Sequence, residues 1–470
     1  MAYIASVDRR RGGRCMSWTE DTPQSMTTKF ARIRDLGSIV AALLAALIGG
    51  SVLAAPDDAF LAKNLPSYAS VDDQSLDTPN RLTSYLSLGG RLESDYRFER
   101  NLDLDSGRRD TESILEPKVA LAISYHPDRN FRSFVQLELS RDYALEQRQQ
   151  QERSPKLELT HAFMRFEHWR NSGISLQLGR QRFRDSREWL FDEELDGVSG
   201  FYQHSRFAFE LSATREEILD KDLLEHEQHG RINNYMVYGA YALDATQQLA
   251  AYVLARDDRS ARRESPRLFG LRASGKPVER FEYWLELAYA RGRDGSSNIR
   301  GFGFDVGMTY EIVAPFRPSF TLGYASGSGD ADPNDGVDRN FRQSGLQGNE
   351  ASFNGVTRFR YYGELFDPEL SNLKIFTAGI GAYVASKTSL DLVYHHYTQH
   401  RASKSIRDSA LNIDPSGRSK RLGTELDLIV GYRGIPNLRL EFMLGYFMPG
   451  SAFLSASHGT FARGEIRYDF

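Results

Sequence analysis

Ala462-Arg463-Gly464-Glu465-Ile466-Arg467-Tyr468-Asp469-Phe470 is the stretch whose reading decides the fold. Taken in steps of two, Ala462, Gly464, Ile466, Tyr468 and Phe470 form an apolar face that ends in aromatics. The residues between them, Arg463, Glu465, Arg467 and Asp469, are all charged. Alternation of period two marks a strand whose two faces meet different surroundings. A transmembrane barrel needs such strands, because lipid-facing and lumen-facing residues must alternate. Pairing the last strand with the first then leaves no open edge. An amphipathic last strand in a soluble sheet carries the same pattern, so other segments must separate the two.

The same alternation recurs upstream. Leu88, Leu92, Tyr96 and Phe98 alternate with Arg91, Glu93, Asp95 and Arg97. Leu115, Val119, Leu121, Ile123 and Tyr125 alternate with Glu116, Lys118 and Ser124. Leu422, Leu426, Leu428, Val430 and Tyr432 alternate with Gly423, Glu425, Asp427 and Gly431, and Leu438 to Leu444 follow after the tight turn Gly434–Asn437. Many runs reach about ten residues, the length of a tilted membrane strand, whereas soluble strands average about half that. The candidates come to about nineteen, but a single-chain bacterial barrel has an even number. The least regular is Thr357–Phe366, TRFRYYGELF. Assigning it to a loop leaves about eighteen strands. The loop then runs from Ser326 to Leu370, too long to be structureless unless it has a use, and folding into the lumen to narrow a pore is one. Leu219–Gln228 is expected to form a short helix in another loop.

Composition and the N-terminal region agree with export. The chain of 470 residues has a net charge of −4, one cysteine, 23 tyrosines and 28 phenylalanines. Its mean hydropathy of −0.49 does not argue against a barrel, since half of each spanning strand is polar. The near-neutral charge gives no bulk attraction to nucleic acid. The one long apolar run, Leu36–Leu53, follows Lys29, Arg32 and Arg34 and precedes small residues, which predicts a signal peptide cut after Ala54. Met26 suits its start. Residues 1–25, with Cys15, are then expected to be a gene-start artefact, 26–54 the signal peptide, 55–80 a periplasmic lead-in and 81–470 an all-β, up-and-down antiparallel barrel. No other run is long enough for a transmembrane helix, and the mature chain is expected to have neither disulfide nor lipid anchor. These features point to the outer membrane of a Gram-negative cell.

The densest charge lies at Leu178-Gly-Arg-Gln-Arg-Phe-Arg-Asp185, followed by Asp192, Glu193, Glu194 and Asp196. Arg180, Arg182 and Arg184 share one face, which lipid would reject. They either line a lumen, where guanidinium groups attract anions, or form a ladder of ion pairs that stiffens the wall. Both readings stand at this level. Asp330, Asp332, Asn334 and Asp335 resemble a calcium loop. However, Gly336 is one place late, and Phe341 stands where the bidentate glutamate belongs, so no metal is expected. His395 and His396 point to opposite faces of a strand and cannot share a metal. His395, Ser403 and Asp408 could be assembled as a triad, but no spacing selects them. The expectation is therefore a non-enzyme with neither catalytic residues nor cofactor.

Four blocks, in order, resemble the outer-membrane alginate export family. They are Gly179-Arg-Gln-Arg182 with its acidic sequel; Gly323-Tyr-Ala-Ser-Gly-Ser-Gly329 with Phe341–Leu346, Gly363–Phe366 and Glu369–Asn372; Leu392-Val-Tyr-His395 with Pro415 and Leu422–Leu428; and Gly445–Gly450 with Ala452-Phe453. The resemblance spans roughly residues 80–470 and implies an eighteen-stranded barrel with in-folded extracellular loops, through which a polyuronate leaves the periplasm. It places pore-lining basic residues on Arg182, Arg360 and Lys118 and acidic partners on Asp192 and Glu465. Where the family has further basic positions, this chain offers Glu350, Thr160, Glu441 and Met443, and the long periplasmic loop before the penultimate strand is the tight turn Gly434–Asn437.

The expected function is passive export of an anionic exopolysaccharide, alginate or a related polyuronate. The pore-lining residues would be Lys118, Arg180, Arg182, Asp192, Arg360 and Glu465. The alternatives are a diffusion porin for small anionic solutes or sugars, an outer-membrane enzyme, and a soluble carbohydrate-binding sandwich. A receptor with a plug domain is disfavoured, since none fits between Ala55 and the first strand. The expected partners are the anionic polysaccharide, outer-membrane lipid, the barrel-assembly machinery and periplasmic polysaccharide-synthesis proteins. Nucleic acid is not among them, and a monomer is expected.

Overall fold

The computed structural model describes residues 65–68, 78–107, 110–146, 154–169, 172–225, 231–454 and 457–470. The expected gene-start segment, the signal peptide and Cys15 lie outside them. Eighteen long strands make one closed antiparallel barrel. They are β1 Leu86–Arg100, β2 Glu112–Asp128, β3 Phe131–Ser140, β4 Lys156–Phe166, β5 Ile174–Arg184, β6 Asp192–His204, β7 Phe207–Arg215, β8 Ile232–Ala242 and β9 Gln247–Asp258. They continue as β10 Glu264–Val278, β11 Phe281–Asp294, β12 Ser297–Glu311, β13 Ser319–Gly327, β14 Leu373–Ala385, β15 Thr388–Gln399, β16 Arg421–Tyr432, β17 Leu438–Pro449 and β18 Gly459–Asp469.

Closure follows the expectation from the C-terminal alternation. β18 pairs with β1 from Arg91↔Asp469 to Arg100↔Thr460. Phe470 and Gly90 then exchange both backbone hydrogen bonds, at 2.8 and 2.9 Å. Ile466, Tyr468 and Phe470 face outward, while Glu465 is buried. β2 divides its faces as sharply: Val119, Leu121, Ile123 and Tyr125 are exposed, whereas Lys118, Ala120, Ala122 and Ser124 are buried. A barrel wall with lipid outside and a filled interior suits both rows.

Short turns such as 205–206, 243–246, 279–280 and 386–387 gather at one end, with the start of β1 and the end of β18. The longer connections 101–111, 141–155, 216–231, 328–372 and 400–420 lie at the other, which the usual barrel orientation makes extracellular. Thr357–Phe366 falls in the connection between β13 and β14, as parity required, with only Phe359–Arg360 in a two-residue strand. The expected helix at Leu219–Gln228 is not found over 219–225, and 226–228 lie outside the described residues. There Lys221–Leu223 runs extended because it completes a sheet edge: Leu159 N–H donates to the Lys221 carbonyl at 3.0 Å, and Leu223 N–H to that of Leu157 at 2.8 Å.

Candidate functional site: charged networks beside an in-folded hairpin

The row Arg180, Arg182, Arg184 continues the outward row of Ile174, Leu176 and Leu178, of which Ile174 and Leu178 are exposed. In a regular wall those arginines would meet lipid. The chain avoids this by leaving the wall. β4 and β5 pair only between Ala162↔Arg180 and Phe166↔Leu176, and Lys221–Leu223 takes the edge of β4 above that point. The departure occurs at Gly179, whose φ is 117°. A Cβ there would stand 2.1 Å from the Ala162 carbonyl oxygen, so only glycine fits.

Beyond Gly179 the β5–β6 hairpin crosses the lumen. At its tip Asp185 pairs with Arg272 of β10 at 2.7 Å. Arg187 lies between the rings of Trp284, from β11, and Tyr361, at 4.0 and 4.1 Å. Phe183, Trp189, Leu190, Phe191 and Leu195 pack in a buried apolar cluster with Met236, Tyr238 and Leu254 of the facing wall. That side of the lumen is filled.

The other face of the hairpin is charged. Arg182 binds Asp192 at 2.6 Å and Glu194 at 3.3 Å, and Lys221 binds Glu194 at 2.9 Å. The wall of β1, β2 and β18 carries a second network. Lys118 lies 3.4 Å from Glu93, 3.3 Å from Asp95 and 3.2 Å from Glu116. Arg463 bridges Asp95 at 2.8 Å and Glu465 at 2.9 Å. Arg467 bridges Glu93 at 2.8 Å and Glu465 at 3.1 Å. Carboxylate oxygens of Glu93, Asp95 and Glu465 lie within 4.8 Å of one another, a crowding that Lys118, Arg463 and Arg467 neutralise. His161 of β4 is buried and stacks edge-on against Phe134, with the charges of Glu194, Arg182 and Lys221 within electrostatic reach.

The long loop supplies the third side. Arg360 pairs with Asp367 at 3.2 Å and feels the charges of Glu364, Glu350 and Arg463. Burial pushes the Glu364 carboxyl up to about 7, with Arg360 opposing the rise. Leu365 and Phe366 N–H groups donate to Glu425 of β16 at 2.6 and 3.1 Å. The loop then reaches the periplasmic end: Asn354 donates to Glu311 at 3.1 Å, Tyr383 to the Asn354 carbonyl at 2.9 Å, and Val356 N–H to Ser389 at 2.9 Å.

Among the residues singled out from sequence, Lys118 and Glu465 belong to one network, Arg182 and Asp192 pair directly, and Arg360 faces the wall from the loop. Arg180 stands apart. It is buried, doubly bonded to Asp196 at 2.7 Å, and donates to the Leu159, Asp220 and Leu219 carbonyls at 3.0, 3.2 and 2.5 Å. These bonds hold segment 218–221 against the hairpin. Sequence reading missed Glu93, Asp95, Arg463 and Arg467 as members of the site, although their alternation was visible, because nothing local shows which first-strand charge meets which last-strand charge. Arg339 occupies the calcium-like loop, pairing with Asp335 at 2.7 Å and Asp330 at 3.4 Å. His395 contacts Thr377 at 2.9 Å and Asp427 at 3.3 Å, whereas Ser403 bonds Gln399 through its backbone and Ser405 through its hydroxyl.

Comparison with known proteins bears on this geometry. The barrel is similar to crystal structures of OccAB2 from Acinetobacter baumannii, with a TM-score of 0.55, 12% identity and coverage of 82% of this chain and 98% of that one. It is also similar to OpdK from Pseudomonas aeruginosa, with a TM-score of 0.54, 12% identity and the same coverage. These likenesses show the fold, that of the OprD-type outer-membrane channels. In sequence, the alginate production protein AlgE of Pseudomonas aeruginosa is 29% identical over 188 residues, 37% of this chain and 37% of the relative. The AlgE of Azotobacter vinelandii is 26% identical over 151 residues, 29% of this chain and 30% of the relative. The matched stretches thus span about a third of these relatives. The model of the alginate export family, by contrast, matches residues 84–463, from the first strand to the last. The chain belongs to the alginate export family.

Proposed function

We propose that this barrel carries an anionic exopolysaccharide, alginate or a related polyuronate, outward across the outer membrane by passive movement along the charged side of its lumen. The observation that carries the reading is the mixed lining, in which Lys118, Arg182, Arg360, Arg463 and Arg467 each hold at least one carboxylate. A polymer carboxylate entering this strip replaces one acid with another. Resident acids compete for every basic group, so no single residue retains the polymer. A conducting site must bind strongly enough to admit its substrate and weakly enough to release it. No bond is made or broken in the substrate. Lys118, Arg182, Asp192, Arg360 and Glu465 line the passage in this proposal. Arg180 holds the hairpin in place and takes the stiffening role that the sequence had left open. Signal-peptide cleavage after Ala54 and insertion in the outer membrane belong to the same proposal.

Arg182→Glu and Arg360→Glu should each lower anion selectivity, read as a shift of the reversal potential towards the cation value in planar bilayers under a salt gradient. Reversal potentials equal to wild type in both variants would defeat the basic-passage reading.

A further inference from the structure

Leu65–Tyr68 precedes the barrel in sequence but lies inside it, with all four residues buried. The segment sits on the inner wall of β4, β6 and β7. The Ser67 hydroxyl donates to Glu210 at 2.6 Å and lies 3.2 Å from the Ser199 hydroxyl, and Ser67 N–H donates to Glu210 at 3.2 Å. Ser212 donates to the same carboxylate at 2.7 Å. The Arg165 guanidinium lies 3.9 Å above the Tyr68 ring, and that ring meets Phe201 edge-on at 5.1 Å. The Tyr68 hydroxyl donates to Glu167 at 3.1 Å, beside the turn that joins β4 to β5. Glu210 and Phe201 are likewise close to the 205–206 turn, so the segment stands at the periplasmic end. Thr78, ten residues on, contacts Ser87 at the foot of β1 at 2.9 Å.

This wall is unlike the charged passage. It offers a buried carboxylate and serine hydroxyls to a hydroxyl donor, and an aromatic face with a guanidinium to a flat ring. A hydroxyl-rich sugar ring has both properties. We propose that Leu65–Tyr68 is a stopper in the periplasmic entrance, occupying a sugar-hydroxyl site that the entering polysaccharide takes over when it displaces the segment. The proposal rests on the reading of the barrel as a polysaccharide channel. It adds the entry site and the element that closes it.

The test uses the full chain with Cys15→Ser, reconstituted in planar bilayers. Oxidation of Tyr68→Cys with Phe201→Cys should tether the segment and hold conductance several-fold below the value after reduction. Deleting Leu65–Tyr68 should give the higher conductance with or without reductant. In a third variant, Ser67→Cys, a bulky maleimide should label slowly alone and several-fold faster when oligouronate is added on the periplasmic side. A conducting wild type that neither tether nor deletion alters would overturn the stopper and leave the channel reading intact. Labelling unmoved by oligouronate would overturn the displacement. Barrels that are folded but silent in every form, the deletion included, would overturn the stopper and the channel reading together.

Discussion

Gly179 carries more of the site than any charged residue does. Its φ of 117° and the 2.1 Å approach to the Ala162 carbonyl set the point where β5 leaves the wall. Without that departure Arg182 and Asp192 would face lipid, where charge is expensive. Gly179→Ala should therefore lose thermal stability, with about 1–3 kcal/mol of backbone strain before the clash is counted. A melting temperature within error of wild type would refute the pivot. The arginine row was legible in sequence because strand parity puts three guanidinium groups on one face. The choice between lumen and ladder was not legible, since it depends on how far β4 and β5 stay paired. The structure divides the row: Arg180 clamps segment 218–221, and Arg182 faces the wall networks. Nothing in Gly-Arg-Gln-Arg itself distinguishes the two arginines.

The long loop between β13 and β14 descends through the barrel. It starts at the extracellular end and finishes its descent on Glu311, Tyr383 and Ser389 at the periplasmic end. Phe353 adds a stack on Trp284 at 6.0 Å. Two side-chain hydrogen bonds hold the tip: Asn354 donates to the Glu311 carboxylate, a charge-assisted bond worth about 1.5–3 kcal/mol, and Tyr383 donates to the Asn354 carbonyl, worth about 1 kcal/mol net. Removing both with Asn354→Ala and Tyr383→Phe should give more frequent open–closed transitions in single-channel records, while Leu365 and Phe366 stay anchored on Glu425. Unchanged gating would mean that packing and the Val356–Ser389 hydrogen bond suffice to hold the tip. Parity identified this loop in the sequence, because an odd strand had to be discarded. The depth of the descent was not legible, since the partners of Asn354 are distant in sequence. The expected helix after Leu219 failed for a similar reason: Lys221–Leu223 is extended because β4 has lost β5 as a neighbour there, a tertiary demand that local pattern does not carry.

At the scale of the whole molecule, the closing seam serves two purposes. Its aromatics face outward, and its inward charges tie the first strand to the last: Arg467 and Arg463 of β18 reach Glu93 and Asp95 of β1. The buried pairing also disfavours a slipped register, because a one-residue shift would turn those charges to lipid. The two faces of the closing strand were legible from the C-terminal nonapeptide, and the fold class from that alternation together with the length and even number of the strands upstream. The apolar cluster inside the barrel was not, because it draws on residues from strands far apart in the chain. A path for a polyuronate along the charged networks is the central claim. Its most direct measurement is the current through single wild-type barrels as oligouronate of defined length is titrated into the periplasmic side, beside the same titration of Arg182→Glu with Arg463→Glu. The account predicts brief, concentration-dependent interruptions in the wild type, with rarer events in the double variant. A wild-type current that small anions carry and oligouronate never interrupts would contradict it and would favour a diffusion porin.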